Sequence, residues 1–161
     1  MEDPIEVLVE TDMSAHQYMP ELAEHCIAWF LEQLQIKGAS ITLRFACQDA
    51  MEELNFVYRN KKSSTDVLSF PQFDSLSEIQ QLVSESVPVH LGDLVVSPSD
   101  VLENCREFDV PAFEELPRLI IHGMLHCIGE THASYRPDDP MLQRQEALLK
   151  QFLDARRVIQ K

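Results

Sequence analysis

Residues 122–132 read His-Gly-Met-Leu-His-Cys-Ile-Gly-Glu-Thr-His, a stretch that contains three histidines. His122 and His126 stand four residues apart, which on an α-helix places both side chains on one face, one turn apart. Gly129 follows three residues later, and a glycine just beyond a helical run favours a left-handed cap that ends the helix. The turn predicted there can bring His132 back toward the other two histidines.

Three histidines that meet in this way form a ligand set typical of a catalytic metal ion. Catalytic zinc has three protein ligands and an open fourth position, whereas structural zinc usually has four protein ligands, often cysteines. The alternative is that the histidines are ordinary hydrogen-bonded groups beside the core. From Leu119 to Ile128, however, only His122 and His126 are polar, and a helix that is apolar all round is expected to be buried. One metal satisfies two buried imidazoles together, so we predict a metal site.

Gly123 separates this motif from that of the zinc proteases. The protease pattern His-Glu-x-x-His-x-x-Gly-x-x-His has the same histidine spacing, and its glutamate is the general base. Gly123 occupies the position of that glutamate and can neither accept nor donate a side-chain proton. The motif therefore favours a different hydrolytic substrate, or a base supplied from elsewhere.

Length and composition limit the number of domains and the cellular location that we expect. The 161 residues, 45% of them hydrophobic and 25% charged, suit one domain over residues 1–161 with a sizeable core. No apolar run approaches the roughly 20 residues of a membrane span, and the acidic start lacks the features of a secretion signal. We expect a cytoplasmic protein with no membrane partner.

The charge and the cysteines add two expectations. The net charge of −14 disfavours general nucleic-acid binding, and DNA is not expected as a partner, because phosphate contacts need lysine and arginine. An RNA substrate therefore requires a local positive patch or a metal. Cys26, Cys47, Cys105 and Cys127 fall in apolar patterns and are interpreted as small buried hydrophobes; Cys127 points away from His126 on a helix and is not counted as a ligand.

The hydrophobic pattern predicts an α+β fold. Alternation predicts strands near residues 5–9, 41–47, 67–70 and 91–97. Helical spacing predicts helices near residues 20–35, 49–58, 98–108, 111–128 and 141–158, and residues 72–90 are interpreted as a mobile loop with at most one weak helical turn. Strands come first and helices cluster later, which indicates a small mixed sheet with helices mainly on one face and the histidine helix central.

Three details of the helices are predicted as well. Asp49 is expected to cap the second helix. That helix is expected to bury Met51, Leu54 and one of Val57 and Tyr58. Pro117, early in the histidine helix, is expected to mark a kink or the true helix start.

Residues 59–62 form the most basic short stretch of this acidic chain. Lys61 and Lys62 are best interpreted as solvated residues of a turn. Arg59 stands where a predicted helix meets a loop, and its planar guanidinium suits phosphate oxygens. If this loop faces the histidines, Arg59 can hold a phosphate beside the metal.

Three motifs together resemble the YbeY family, bacterial metal-dependent endoribonucleases of ribosomal RNA maturation. They are Leu-Asn-Phe-Val-Tyr-Arg-Asn-Lys-Lys-Ser-Ser-Thr-Asp-Val-Leu-Ser-Phe-Pro at 54–71, Leu-Gly-Asp-Leu at 91–94 and the histidine motif, in order over roughly residues 40–150. The resemblance implies one zinc ion per chain held by His122, His126 and His132, with Arg59 as the catalytic arginine. It also implies action on the ribosome, in small-subunit (16S) ribosomal RNA processing and ribosome quality control. Nickel or another divalent transition metal stays open, since imidazole suits several ions.

One departure from the family pattern concerns the residue before the third histidine. The family usually has aspartate there, and this chain has Thr131, preceded by Glu130. A carboxylate at that position could orient a ligand, whereas a threonine cannot act as a base near neutral pH. Glu130 could substitute for it, or could simply be exposed.

We expect a single-stranded RNA substrate, because a recessed metal cannot easily reach a paired backbone. The strand at 67–70 is expected to form one wall of the cleft. Tyr58, Phe70 and Phe73 lie near it in sequence, but such residues more often belong to a core. Two other functions stay open: a metal-dependent hydrolase of peptides or small molecules, and a non-catalytic ribosome assembly factor with a structural metal.

Overall fold

The computed structural model describes residues 4–159, with side chains through Arg157, so the acidic start at residues 1–3 lies outside it. The strands are β1 (Ile5–Glu10), β2 (Ser40–Ala46), β3 (Val67–Pro71) and β4 (His90–Val96). The helices are α1 (Met19–Gln33), α2 (Gln48–Arg59), α3 (Leu76–Ser84), α4 (Pro98–Phe108), α5 (Ala112–Cys127) and α6 (Pro140–Ile159). This succession confirms the predicted α+β class.

The four strands form one mixed sheet in the order β1-β2-β4-β3. β1 and β4 lie on either side of β2 and run parallel to it, whereas β3 runs antiparallel to β4 and forms an edge. Successive side chains of a strand point to opposite faces. Ile41, Leu43 and Phe45 of β2 therefore share one face and belong to the main core, while the neighbouring strand β4 sends Val95 to the other face.

Five helices contribute to the core on one face of this sheet, and α2 packs against the other face. The main core joins buried residues of α1, α3, α4, α5 and α6 to those of β2 and β4. α2 instead packs Met51 and Leu54 against a small cluster formed by Ala46, Leu68 and Val95. The prediction of helices mainly on one face is confirmed, and α5 is central because it contacts α1, α4, α6, β3 and β4.

The prediction of a mobile loop over residues 72–90 is wrong. This segment contains α3, whose first turn is capped by Ser75, the Oγ atom accepting a hydrogen bond from Glu78 N at 3.3 Å. Ile79 is fully buried, and Leu76, Leu82 and Val83 pack around it against the core. The apolar residues thus follow helical spacing on one narrow face, which the many polar residues of the segment obscure.

Three expectations for α2 and the cysteines are also corrected. α2 begins at Gln48, with Cys47 at the cap position and no side-chain cap, so Asp49 lies in the first turn and does not cap the helix. Val57 and Tyr58 are each 65% exposed, because α2 covers only a small apolar patch. Cys26 and Cys127 are buried as expected, but Cys47 is exposed and Cys105 is half-buried.

Pro117 lies inside α5 rather than at its start, since the helix begins at Ala112. Pro117 is buried, in a helix that packs against α1 and α6. Across the described part of the chain, no helix has both the length and the apolarity that crossing a membrane requires.

Gly129 ends the histidine helix, as predicted. Its φ is +96°, and its N–H donates to the carbonyl of His126 at 3.0 Å. A Cβ atom at this position would lie 2.2 Å from the carbonyl oxygen of Asp74. Glycine is therefore required twice, for the backbone conformation and for the close approach of the segment before α3.

Gly129→Ala is expected to destabilise the protein more than Gly38→Ala. Gly38 also has a positive φ, +105°, but a Cβ there would meet nothing within 4 Å. Gly38→Ala should lower the free energy of unfolding by about 1–2 kcal/mol, the cost of a left-handed backbone for a residue with a Cβ. Gly129→Ala should cost more, because the Asp74 carbonyl must also move. Urea unfolding followed by circular dichroism measures both, and equal losses would contradict the account.

Candidate metal centre

The three predicted histidines meet in the structure. His122 and His126 project from successive turns of α5, with ring centroids 4.8 Å apart. The turn at Gly129 brings His132 to 5.2 Å from the His122 centroid and 5.4 Å from that of His126. One ring nitrogen of each residue lies within 4.8 Å of the other two, which is the convergence that the spacing predicted.

The Nδ1 atom of each ring has its own hydrogen-bond partner. Nδ1 of His122 lies 2.7 Å from Oε1 of Gln145. Nδ1 of His126 lies 2.9 Å from the carbonyl oxygen of Glu130, and Nδ1 of His132 lies 3.2 Å from that of Ser134. Because all three partners accept, each Nδ1 carries the hydrogen and each Nε2 carries a lone pair.

The spacing of the His122 and His126 Nε2 atoms fits a shared metal ion. Nε2 of His122 lies 3.2 Å from Nε2 of His126, and two lone pairs at this distance repel each other unless a cation lies between them. Zinc–imidazole bonds of about 2.0–2.1 Å in tetrahedral geometry separate two ligand nitrogens by about 3.3 Å. Burial lowers the pKa of His122, and it lowers the pKa of His126 to about 4, so both rings are neutral near pH 7 and available as ligands.

The histidines line a cavity of about 290 Å³ that also reaches Arg59, Asp66, Val67 and Ser69. Arg59 is the last residue of α2, so the end of that helix faces the histidines, whereas Lys61 and Lys62 do not line the cavity. Val67 and Ser69 come from β3, which places the predicted strand in the cavity wall. The structure thus brings together Arg59 and all three histidines.

The two arginines that line this cavity differ in their partners. Arg118 pairs with Glu114, Glu115 and Glu146 at 3.8, 2.5 and 3.0 Å, so its charge is compensated. Arg59 takes part in none of the ion pairs found among residues 4–157. In a chain of net charge −14, Arg59 therefore provides the free positive charge of the cavity wall.

A chain of polar contacts links the histidine helix to the cavity wall. Glu115 is 5% exposed. Its Oε1 binds Arg118, and its Oε2 accepts a hydrogen bond from Asn104 Nδ2 at 3.1 Å. The same amide donates to Asp66 at 2.9 Å, while the other oxygen of Asp66 accepts from the backbone N–H of Val67. Because each Asp66 oxygen accepts one of these hydrogen bonds, Asp66 fixes the start of β3 in the cavity wall.

Gln145 and Tyr135 belong to this site and were missed by the sequence analysis. Gln145 lies on the buried stripe of α6 and is 8% exposed; the other members of this stripe are Met141, Leu148, Leu149 and Phe152. A glutamine within an apolar helical stripe is a signal that could have identified it. Tyr135 lies in the polar loop after His132, and nothing in the sequence pattern distinguishes it.

The structure also explains Gly123 and places Thr131. A Cβ on Gly123 would lie 2.7 Å from Leu94 Cδ2 and 3.6 Å from Val67 Cγ2, so this position faces the sheet and has no room for a glutamate. The side chain of Thr131 is exposed. The Glu130 carboxylate pairs with Arg144 and does not replace the missing aspartate; only the Glu130 carbonyl serves a histidine.

Cys127 lies outside the histidine cluster. It is fully buried and is not among the residues that line the cavity. Burial raises the pKa of its thiol to about 12, so the thiolate that binds metals is not formed near neutral pH.

Comparison with known proteins agrees with the fold. A family model described as endoribonuclease YbeY matches residues 6–153. The endoribonuclease YbeY of Treponema denticola is 40% identical over 138 residues, 83% of each chain. That of Bacillus cereus (strain B4264) is 30% identical over 149 residues, 92% of this chain and 95% of the relative. A solution structure of a Thermotoga maritima protein, 22% identical, matches 96% of this chain and 92% of its own with a TM-score of 0.61, which shows the fold alone.

The fold and the histidine cluster define the class: an α+β protein with a half-buried three-histidine centre able to bind one transition metal ion. The chain belongs to the endoribonuclease YbeY family. The resemblance that the three sequence motifs carry is thereby confirmed.

Gln145→Leu is expected to weaken zinc binding. The leucine keeps the volume but removes the acceptor that orients His122, and loss of such a partner typically lowers metal affinity about 10–100-fold. Competition against a chromophoric chelator measures the zinc affinity. Gln143→Leu, an exposed residue of the same helix, is the matched control and should leave the affinity unchanged. Equal affinities for the two variants would show that Gln145 does not position His122.

Proposed function

We propose that this protein is a zinc-dependent endoribonuclease that cleaves single-stranded RNA. In this proposal, residues 1–161 form one metallo-endoribonuclease domain that acts in the cytoplasm on ribosomal RNA, in small-subunit (16S) processing and ribosome quality control. The name that its relatives carry supports RNA as the substrate. The ribosomal role rests on the family resemblance, and the metal and site residues rest on the geometry of this chain.

The observation that carries the proposal is the meeting of three imidazoles with an unpaired arginine in one cavity. His122, His126 and His132 would hold the zinc ion through their Nε2 atoms. A bound zinc ion supplies Lewis acidity and lowers the pKa of water toward about 7. Nickel or another divalent transition metal would suit the same three nitrogens.

Arg59 would bind the scissile phosphate and stabilise the negative charge that develops on its oxygens. Its bidentate guanidinium suits this role, and it carries no competing ion pair among the described residues. Gln145 and the carbonyls of Glu130 and Ser134 would keep the three rings oriented. With Gly123 facing the sheet, position 123 contributes no base to the reaction.

The depth of the site favours single strands. The rings of His122 and His126 are half-buried, and the cavity that they line is bounded by β3 on one side. If the substrate were a double helix, a phosphate of one strand could enter this cavity only together with the paired second strand. A single strand can bend its backbone into the cavity, between the histidines and Arg59.

Two other functions make different predictions. A hydrolase of peptides is favoured by the histidine spacing but disfavoured by Gly123, where a glutamate would clash with Leu94. A non-catalytic ribosome assembly factor with a structural metal is favoured by the acidic net charge of −14 and disfavoured by a ligand set of three. The zinc-loaded protein should cleave single-stranded RNA, leave casein intact and lose RNA cleavage in chelator. Casein cleavage would support the first alternative, and absence of any cleavage the second.

Arg59→Glu is expected to retain the fold and one zinc ion per chain but to lose RNA cleavage. The loss in kcat/KM should be at least about 100-fold, because a charge that stabilises the transition state is replaced by one that repels it. Lys61→Glu makes the same charge change on an exposed residue that does not line the cavity, and its effect should stay within about tenfold. Unchanged cleavage by Arg59→Glu would remove Arg59 from the mechanism.

A further inference from the structure

Tyr135 presents an exposed aromatic ring at the rim of the histidine cavity. Its side chain is 83% exposed, although it lines the same cavity as Arg59 and the three histidines. The ring centroid lies 4.7 Å from that of His132, with the two planes inclined at 58°. One part of the tyrosine ring therefore touches a histidine of the centre while most of its surface remains open.

The loop that carries Tyr135 is held in place by Asp139. The Asp139 side chain is 7% exposed, and its Oδ2 accepts from the backbone N–H groups of Ala133 and Ser134 at 3.1 and 3.3 Å. Its Oδ1 accepts from Met141 N at 3.0 Å, which ties the loop to the start of α6. The carbonyl of Ser134 in turn accepts from His132. The ring of Tyr135 is thus attached to a loop fixed on both sides, next to a histidine of the centre.

An exposed aromatic ring at a phosphate-binding cavity matches a nucleobase in chemistry. Base–aromatic stacking tolerates any base, because every base has a π face. Tyrosine loses little conformational entropy in such a contact, since only two side-chain torsions become fixed. A base can stack on a side chain only when it is unstacked and accessible, as in single-stranded RNA.

We propose that Tyr135 is a substrate-positioning residue that stacks on an unpaired nucleobase next to the phosphate bound at the histidines and Arg59. This inference deepens the proposed function and rests on it. Stacking on Tyr135 would favour single strands in addition to the depth of the cavity, because a base held in a double helix cannot reach the ring. It also supplies the aromatic platform that the sequence did not reveal.

The experiment compares the zinc-loaded wild type with Tyr135→Ala, Tyr135→Phe and Tyr135→Trp on a fluorescence-quenched single-stranded decaribonucleotide. Tyr135→Ala should lower kcat/KM about 5- to 150-fold, the effect of losing one base–aromatic stack, mainly through a higher KM. Tyr135→Phe and Tyr135→Trp should stay within about threefold of the wild type. Phe108→Ala, which removes an exposed aromatic residue outside the cavity, should leave the kinetics unchanged.

Two further measurements separate stacking from a structural role. The zinc affinity of Tyr135→Ala should equal that of the wild type; a weaker affinity would mean that the ring shields the centre and would overturn the proposal. An abasic ribose-phosphate decamer, used as a competitive inhibitor, should have the same inhibition constant with wild type and Tyr135→Ala, because it offers no base to stack.

The outcomes distinguish this inference from the function on which it rests. If the wild type cleaves RNA and Tyr135→Ala does so equally well, Tyr135 has no positioning role while the proposed function stands. If Tyr135→Phe is as impaired as Tyr135→Ala, the hydroxyl group acts and stacking is wrong. If the zinc-loaded wild type cleaves no RNA, the proposed function fails, and the proposal for Tyr135 fails with it.

Discussion

Two imidazole nitrogens with lone pairs lie 3.2 Å apart in the wall of the histidine cavity. They cannot hydrogen-bond to each other, because His122 and His126 each carry their proton on the opposite nitrogen, where an acceptor holds it. Protonating one ring would relieve the repulsion, but burial opposes it by lowering the pKa of both. A cation bound by both lone pairs and by His132 would remove this repulsion. The surrounding helices and strands hold the three rings in positions that allow such binding.

The three histidines are positioned by α5 and by two glycines, Gly123 within the helix and Gly129 just after it. α5 lies in the main core, so the two histidines on its open face are held by a helix that packing immobilises. Gly123 allows the helix to approach Leu94 of β4, and Gly129 allows the turn that returns His132. The edge strand β3 and the end of α2 then close the cavity, which places the free charge of Arg59 beside the histidines.

The sequence predicts the elements whose patterns are local. The alternation in β2 and the histidine spacing in α5 each contain their own signal, so the sheet, the central helix and the convergence of the three histidines could be foreseen. Gln145 stands out as a polar residue in the apolar stripe of α6, but its contact with His122 could not be foreseen, because it depends on the packing of α6 against α5. The role of Tyr135 depends on a loop shaped by Asp139. α3 was missed because its single buried residue, Ile79, is surrounded by polar ones.

X-ray absorption spectroscopy of the zinc-loaded protein tests the central claim most directly. The account predicts one zinc ion per chain with three imidazole nitrogens at about 2.0 Å, a light-atom fourth ligand and no sulfur. Sulfur scattering at about 2.3 Å would assign the metal to cysteines instead. Undiminished zinc binding by a variant lacking both His122 and His126 would equally contradict a centre built on their shared lone pairs.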